Sequence, residues 1–373
     1  MIGATRSAAK SRDARARPPE REGPDLAARF VVRAAILAPS VHNTQPWRFV
    51  DRPGGLELWA DRARLLPIAD PAGREMVISC GAALFNARLA VRSLGFTPLV
   101  RLVPDPAYPD LLARIGWGSG TAPRPYEDLL YRTIPRRHTY RGAFLTTPLP
   151  PMLTTVLAGI ARHEGAGLRV VSDLAQLRRL AEHVEVAEAA QRRDPRIAGE
   201  LLAWVASPTG ERRDGLSPGS YPIQPDGLAF AARDFAAATR WGRSRQGRQS
   251  TDPDAAQGAD PAAVGTVAVL VTRGDRRLDW LLAGQALQHV LLHAETAGVS
   301  AAFYTQPLEL PYLRAAMHRD LRGHAQMLLR LGRPARRLRS RRRPVTDVLS
   351  GERNPSAEPG PGIPSSLRGG AGS

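Results

Sequence analysis

The sequence predicts an α+β protein made of two related halves in one chain, and three observations carry that reading. Helical and strand-like patterns alternate regularly between Asp25 and Leu349. A long helical pattern occurs once in each part, Ala-rich over Arg74 to Leu94 and again over Leu278 to Ala297. The order strand, long helix, strand, short helix, strand is met on both sides of a joint at Pro123 to Arg136, although no sequence repeat accompanies it.

The elements follow in order. Asp25 to Ala38 sets Leu26, Phe30, Ala34 and Leu37 on one side with Arg29 and Arg33 elsewhere, which predicts an amphipathic helix stopped by Pro39. "RFVD" and "GLELWAD" read as a strand pair, followed by the Arg74 to Leu94 helix, a strand "PLVRLV", a short helix near Tyr108 to Leu112, and "ARIGWG". The second half opens with a helix at about Pro151 to Ala161 and a strand "LRVVS". Two helical stretches come next, Leu174 to Arg192 and Ile197 to Ala206, then a turn-rich insertion with a helical piece near Ala229 to Thr239. The chain resumes with "VGTVAVLVT", the second long helix, "AAFYTQ", a short helix near Leu310 to His318, and "AQMLLRLG". This gives a basic tail over 1–24, a first half over 25–135, a second half over 136–350 with a lid-like insertion at about 207–262, and a tail over 351–373. Both tails have the composition of disordered segments.

The 373 residues are 43% apolar, enough for a sizeable core. A net charge of +17 invites a polyanion-binding reading, yet much of the excess lies in "TRSAAKSRDARARPPER" and "RPARRLRSRRRP" near the two ends. There is no zinc-finger spacing, RNP-type aromatic pair or sustained basic recognition helix, so specific nucleic-acid recognition is not expected. The single cysteine, Cys80, excludes an internal disulfide and fits a reducing compartment. No apolar run reaches the roughly 20 residues of a membrane span, and no secretory signal core is read, so the expected location is the cytoplasm.

Two stretches carry chemistry. "APSVHNTQPWRF", Ala38 to Phe49, packs a proline, a serine, two amides and a tryptophan into one loop between a helix and a strand. "RRHTYRGAF", Arg136 to Phe144, places three guanidinium groups around a threonine hydroxyl, a set suited to bidentate phosphate binding or to a solvated surface. His289 and His293 stand four apart on one helix, but no HExxH pattern accompanies them. No GxSxG elbow, Walker A loop or Rossmann fingerprint is present.

"APSxxNxQPW" leading into a strand, together with "RRHTxR", resembles the FMN-dependent nitroreductase superfamily over about Asp25 to Leu349. The tandem arrangement is similar to its Acg-type branch, in which one chain holds two nitroreductase-like halves as an internal pseudo-dimer. That resemblance implies one FMN per chain between the halves, and NAD(P)H as reductant. Arg137 and Thr139 would grip the phosphate and ribityl end, with Arg136 and His138 alongside and Arg141 towards the flavin pyrimidine. Pro39, Ser40 and Val41 would meet the flavin ring while Asn43 and Gln45 fix the loop, either as part of the site or purely as braces. Thr305 and Gln306 stand where relatives offer backbone N–H groups from a Glu-Gly pair, and Arg341 or Arg342 would return to the phosphate.

The implied function is a nitroreductase-type oxidoreductase that passes electrons from NAD(P)H through flavin to a nitroaromatic or quinone-like small molecule by a ping-pong cycle. An FMN-sequestering or storage protein is the alternative, and a polyanion binder acting through the termini is a third reading. The pseudo-dimer would work as a monomer or assemble into a homodimer, without a membrane partner.

Overall fold

In the computed structural model, residues 25–142, 144–145, 147–205, 212–216, 265–335 and 340–351 are described. Helix α1 (Leu26–Ala35) buries Ala28, Val31, Val32, Ala34 and Ala35, and the chain leaves it just before Pro39. Strands β1 (Trp47–Arg52) and β2 (Gly55–Ala60) pair antiparallel. Helix α2 (Arg74–Ser93) is buried on nearly all sides, as expected of a central helix rather than a surface one. Strands β3 (Phe96–Leu102) and β4 (Leu111–Gly120) complete the first half.

The short helix expected near Tyr108 to Leu112 does not form. Leu111 N–H closes a turn on the Tyr108 carbonyl at 2.9 Å, and Leu111 then pairs with Trp59 of β2. Cross-strand pairing there overrides local pattern. A helix the sequence did not announce, α3 (Pro125–Thr133), occupies the joint between halves. Pro125 suits its first turn, and the Glu127 carboxylate accepts the Arg124 N–H at 2.7 Å, satisfying one of the donors a helix start leaves open.

The second half runs through α4 (Pro151–His163), β5 (Gly167–Val170), α5 (Leu174–Arg193) and α6 (Pro195–Trp204). Asp173 and Asp194 cap the latter two helices through the N–H groups of Gln176 and Arg196. Then come β6 (Thr266–Thr272), α7 (Arg277–Thr296), β7 (Ser300–Phe303), α8 (Gln306–Glu309), α9 (Pro311–Leu321), β8 (His324–Gly332) and β9 (Leu349–Ser350). Most of the 207–262 insertion, including the helical piece expected near Ala229 to Thr239, lies outside the described residues, as do 1–24 and 352–373.

The two sheets have matching topology. The first has strand order β3-β4-β2-β1-β9 and the second β7-β8-β6-β5, so removing β9 makes the orders correspond strand for strand. Strand β9 lies parallel to β1, with Phe49 opposite Leu349, so the end of the described chain closes the edge of the first sheet.

Between the sheets α2 and α7, both 20 residues long, cross at Gly81 and Gly284. A Cβ on Gly81 would run into the Leu281 carbonyl, and one on Gly284 into the Ile78 carbonyl. The two glycines are thus equivalent points of an internal two-fold relationship. The crossing also exchanges core residues, because Leu281 and Leu292 of α7 join the first half's core while Ile78 of α2 joins the second's. Each such buried side chain contributes about 1.5–3 kcal/mol to holding the halves together.

Candidate functional site

The loop after α1 is backbone-strained. His42, Asn43 and Gln45 all have left-handed φ, at 45°, 57° and 52°, a conformation costing on the order of 1 kcal/mol or more for each residue. Hydrogen bonds hold it there. Ser40 Oγ accepts the Gln45 N–H at 3.0 Å, and Ser79 Oγ of α2 accepts the Val41 N–H at 3.3 Å. Asn43 Nδ2 donates to the carbonyls of Gly215 (3.0 Å) and Arg341 (3.1 Å). Gln45 Nε2 donates to Arg213 O at 3.0 Å, while its Oε1 accepts the Arg343 N–H at 2.8 Å. Cys80, fully buried, donates its thiol to the Pro46 carbonyl at 3.2 Å, and burial raises its pKa far above the ordinary thiol range.

The arginine-rich stretch runs along the edge of β7. Thr139 bridges to Ala301 in parallel sense, and the Tyr140 N–H donates to Ala301 O at 2.9 Å. This placement turns Arg137 inward. Arg137 Nη2 donates to Leu37 O at 3.3 Å, and Arg342 Nη2 donates to Ala38 O at 3.2 Å. Arg137 Nε and Nη1 and Arg342 Nε are buried with no hydrogen-bond partner. Burial, then the like charge of Arg342, pushes Arg137 down to about 9. Burial, then Arg141, pushes Arg342 down to about 10. Buried donors of one sign, costly when unmet, are the complement of an anion.

Next to these groups lies a cavity between the halves. Pro39, Ser40, Val41 and His42 form one wall, with Glu75, Ile78 and Ser79 of α2 beside them. The second half contributes Thr139, Arg141, Leu287, Phe303, Thr305 and Met327. Two stretches far apart in sequence, the Pro-Ser loop and the arginine-rich motif, therefore face one space. Apolar walls from Ile78, Leu287, Phe303 and Met327, with a polar rim, suit a flat ligand carrying an anionic tail.

Of the residues singled out from sequence, Pro39, Ser40, Val41, Thr139, Arg141 and Thr305 line the cavity. Arg137 and Arg342 stand together at the carbonyls that end the α1 turn. Asn43 and Gln45 direct their amides to residues 213–215 and 341–343. Arg136 is exposed and offers its carbonyl to His138 Nδ1 at 2.8 Å. Gln306 is buried with its amide on Glu188, and the Arg341 carbonyl receives Asn43 and Arg342. Sequence reasoning missed His42, Glu75, Ile78, Ser79, Leu287, Phe303 and Met327. A signal for two of them existed, since Glu75 and Ser79 stand four apart in a stretch, Glu75 to Phe85, that is otherwise apolar.

His289 and His293 share the Tyr126 hydroxyl, at 3.2 and 3.0 Å, and His289 Nδ1 lies 3.1 Å from Glu164. Among the described residues, no group of three or more His, Cys, Asp or Glu side chains could hold a metal ion. Nor is any described helix long and apolar enough to cross a membrane.

Comparison with known proteins gives this geometry its family. The chain is 33% identical over 312 residues to a Mycobacterium tuberculosis H37Rv protein named "Putative NAD(P)H nitroreductase Rv3131", covering 82% of this chain and 84% of the relative. The chain belongs to the nitroreductase family. A second nitroreductase relative from the same strain, named "Putative NAD(P)H nitroreductase acg", is 29% identical over 282 residues, 75% of this chain and 80% of its own length. Among solved nitroreductases, NfnB of Mycobacterium smegmatis, in complex with NADPH, aligns with 58% of this chain and 95% of its own at 16% identity, with a TM-score of 0.33. No protein-family model matches the chain.

Proposed function

We propose that this nitroreductase-family chain is an FMN-dependent oxidoreductase that uses NAD(P)H to reduce a nitroaromatic or quinone-like small molecule. One observation carries the assignment of FMN: Arg137 and Arg342 keep buried, unpartnered N–H groups near a cavity lined by residues of both halves. A phosphate dianion would satisfy those donors and relieve the repulsion among Arg137, Arg342 and Arg141. FMN, when bound, supplies reversible hydride and electron transfer, taking up reducing equivalents from NAD(P)H and releasing them to the acceptor in a ping-pong cycle.

The chain's own residues do the rest. Arg137 and Arg342 would hold the phosphate, with Thr139 adding a hydroxyl. Arg141 would stabilise negative charge on the ring system, and the Pro39–Ser40–Val41 wall would exclude water from it. Backbone at Thr305 and Gln306 would meet the ring's polar edge. With the arginine-rich motif in one half only, a single FMN per chain follows, and a cytoplasmic monomer or homodimer fits the same reading.

The test is the visible spectrum of the purified protein, then anaerobic NADPH, then a nitroaromatic. A flavin band bleached by NADPH and restored by the acceptor supports the oxidoreductase. Absence of flavin after reconstitution overturns it. Retention of full flavin by Arg137→Ala removes the phosphate assignment.

A second reading, FMN sequestration, draws on the residues of the insertion that are described. Arg213 and Gly215 are fastened to Gln45 and Asn43, and Asp214 is paired with Arg64 at 2.8 Å, so part of the insertion is tied to the loop that walls the cavity. A flavin bleached by dithionite but not by NADPH would favour it.

A further inference from the structure

We propose that Glu75 gives the cavity a charge preference, so that neutral and cationic aromatic acceptors are taken in ahead of carboxylated or sulfonated ones. This rests on the flavin-dependent reading and refines its substrate class.

The internal two-fold shows that the helix position of Glu75 does not by itself call for a carboxylate. Gly81 and Gly284 are each the eighth residue of a 20-residue helix, so Glu75 corresponds to Leu278, and Ser79 to Leu282. The surroundings correspond as well. The loop after α1 meets Ser79 through the Val41 N–H, and the loop after α4 meets Leu282 at Gly165, where a Cβ would lie 3.4 Å from Leu282 Cδ1. One pseudo-equivalent position therefore carries a carboxylate where the other carries leucine, and the carboxylate is the one facing the cavity.

Glu75 is only 3% exposed, and a buried carboxylate stays charged only with strong partners. Arg74 supplies one, with Nη2 2.7 Å from Glu75 Oε1 in a pair nearly closed to solvent. The two charges are not equivalent to a ligand in the cavity. Arg74 also donates to Gln326 O at 2.8 Å and lines a separate cleft with Asp275 and Arg314, whereas Glu75 and not Arg74 lines the cavity. A molecule in the cavity thus meets the carboxylate first. With Arg141 engaged by the cofactor ring, and Arg137 and Arg342 by its phosphate, the charge left to the acceptor is negative. In a partly desolvated space, one unit charge at contact range changes affinity by about ten-fold or more between ligands of opposite sign.

The experiment uses full-length wild-type protein loaded with FMN, its flavin content read first from the visible spectrum. Benzyltrimethylammonium and benzoate, matched aromatic probes of opposite charge, are then titrated at low salt and followed by perturbation of the flavin band. The expected result is cation binding at least about ten-fold tighter in wild type, a ratio within about three-fold in Glu75→Gln, and a preserved preference in Glu75→Asp. Equal or tighter benzoate binding by wild type overturns the proposal without any variant, and so does an unchanged ratio in Glu75→Gln. A wild type that takes up no flavin overturns the cofactor reading and this proposal with it, and is recognised before any probe is added.

Discussion

Arg137 and Arg342, which come from opposite ends of the second half, both point to the carbonyl of Leu37, at 3.3 and 3.5 Å. Two guanidinium groups, Arg137 buried and Arg342 half-buried, converge there on the end of a helix in the first half. The helix C-terminus tolerates them through its partial negative charge. It does not satisfy every donor, since both keep a buried N–H without a partner.

That arrangement makes anion binding pH-dependent. Burial holds the two guanidinium groups down to about 9 and about 10 in the protein without ligand, whereas a bound dianion favours their charged forms. The complex then holds more protons than the free protein above pH 9. The dissociation constant for FMN is expected to stay level from pH 7 to 8 and to weaken progressively from about pH 9 upward. Fluorescence titration of free flavin against apoprotein measures it.

Loss of one fork isolates its contribution. Arg342→Met keeps much of the apolar stem but removes the charged donors, each hydrogen bond to a charged group being worth about 1.5–3 kcal/mol. FMN affinity is expected to fall roughly ten- to hundred-fold. Saturating FMN should raise the melting temperature of wild type clearly more than that of the variant. Equal shifts would place the phosphate elsewhere.

The helix crossing tolerates nothing larger than glycine. Gly284→Ala drives a methyl group into the Ile78 carbonyl and within 2.8 Å of Gly81 Cα. Because both atoms are backbone, neither can rotate away, and the helices must separate. A loss of at least about 1–3 kcal/mol is expected in urea unfolding, the range typical of overpacked cores.

Much of this fold was legible from periodicity alone, because α2 and α7 are long and their patterns leave little choice. The strand order could not be read that way, and neither could β9. Leu349 and Ser350 give a two-residue strand whose partner is Phe49 and Val50, and no local pattern announces so distant a pairing. At the site, Ser40, Thr139 and Arg141 were readable because they lie in the two motifs that carry the resemblance to nitroreductases. Ile78, Leu287 and Met327 were not, since an apolar cavity wall has the same composition as a core. Asn43 and Gln45 show the intermediate case: their importance was visible, but only the structure shows their amides serving the backbone of distant segments.

Bracing of the loop can be tested at Gln45. Its side chain joins Arg213 O and the Arg343 N–H across the strained turn, and Gln45 itself sits at a φ of 52°. Gln45→Ala removes both bonds and leaves a non-glycine residue in left-handed conformation. Amide exchange in residues 40–46 is expected to accelerate, while exchange in α2 and α7 stays close to wild type. Gln45→Gly, which relieves the φ penalty but not the lost bonds, should recover part of the stability and little of the protection.

The interface between halves also carries a pH signature, centred on Glu164. Burial alone would raise its pKa, but hydrogen bonding from His289 and the charge and hydrogen bond of Arg88, at 2.6 Å, outweigh that and bring it to about 2. The folded state therefore favours the ionised form relative to the usual carboxylate value of 4.5. The resulting stability is fully present above pH 4.5, where the unfolded chain is also ionised, and is lost as pH falls through about 2. A shift of that size corresponds to about 3 kcal/mol. Glu164→Gln should lower unfolding free energy at pH 7 by an amount of that order and flatten its fall between pH 4.5 and pH 2. Urea titrations at pH 7, 4.5 and 3 measure both effects, and a variant whose acid limb keeps the wild-type slope would show that other carboxylates carry the dependence.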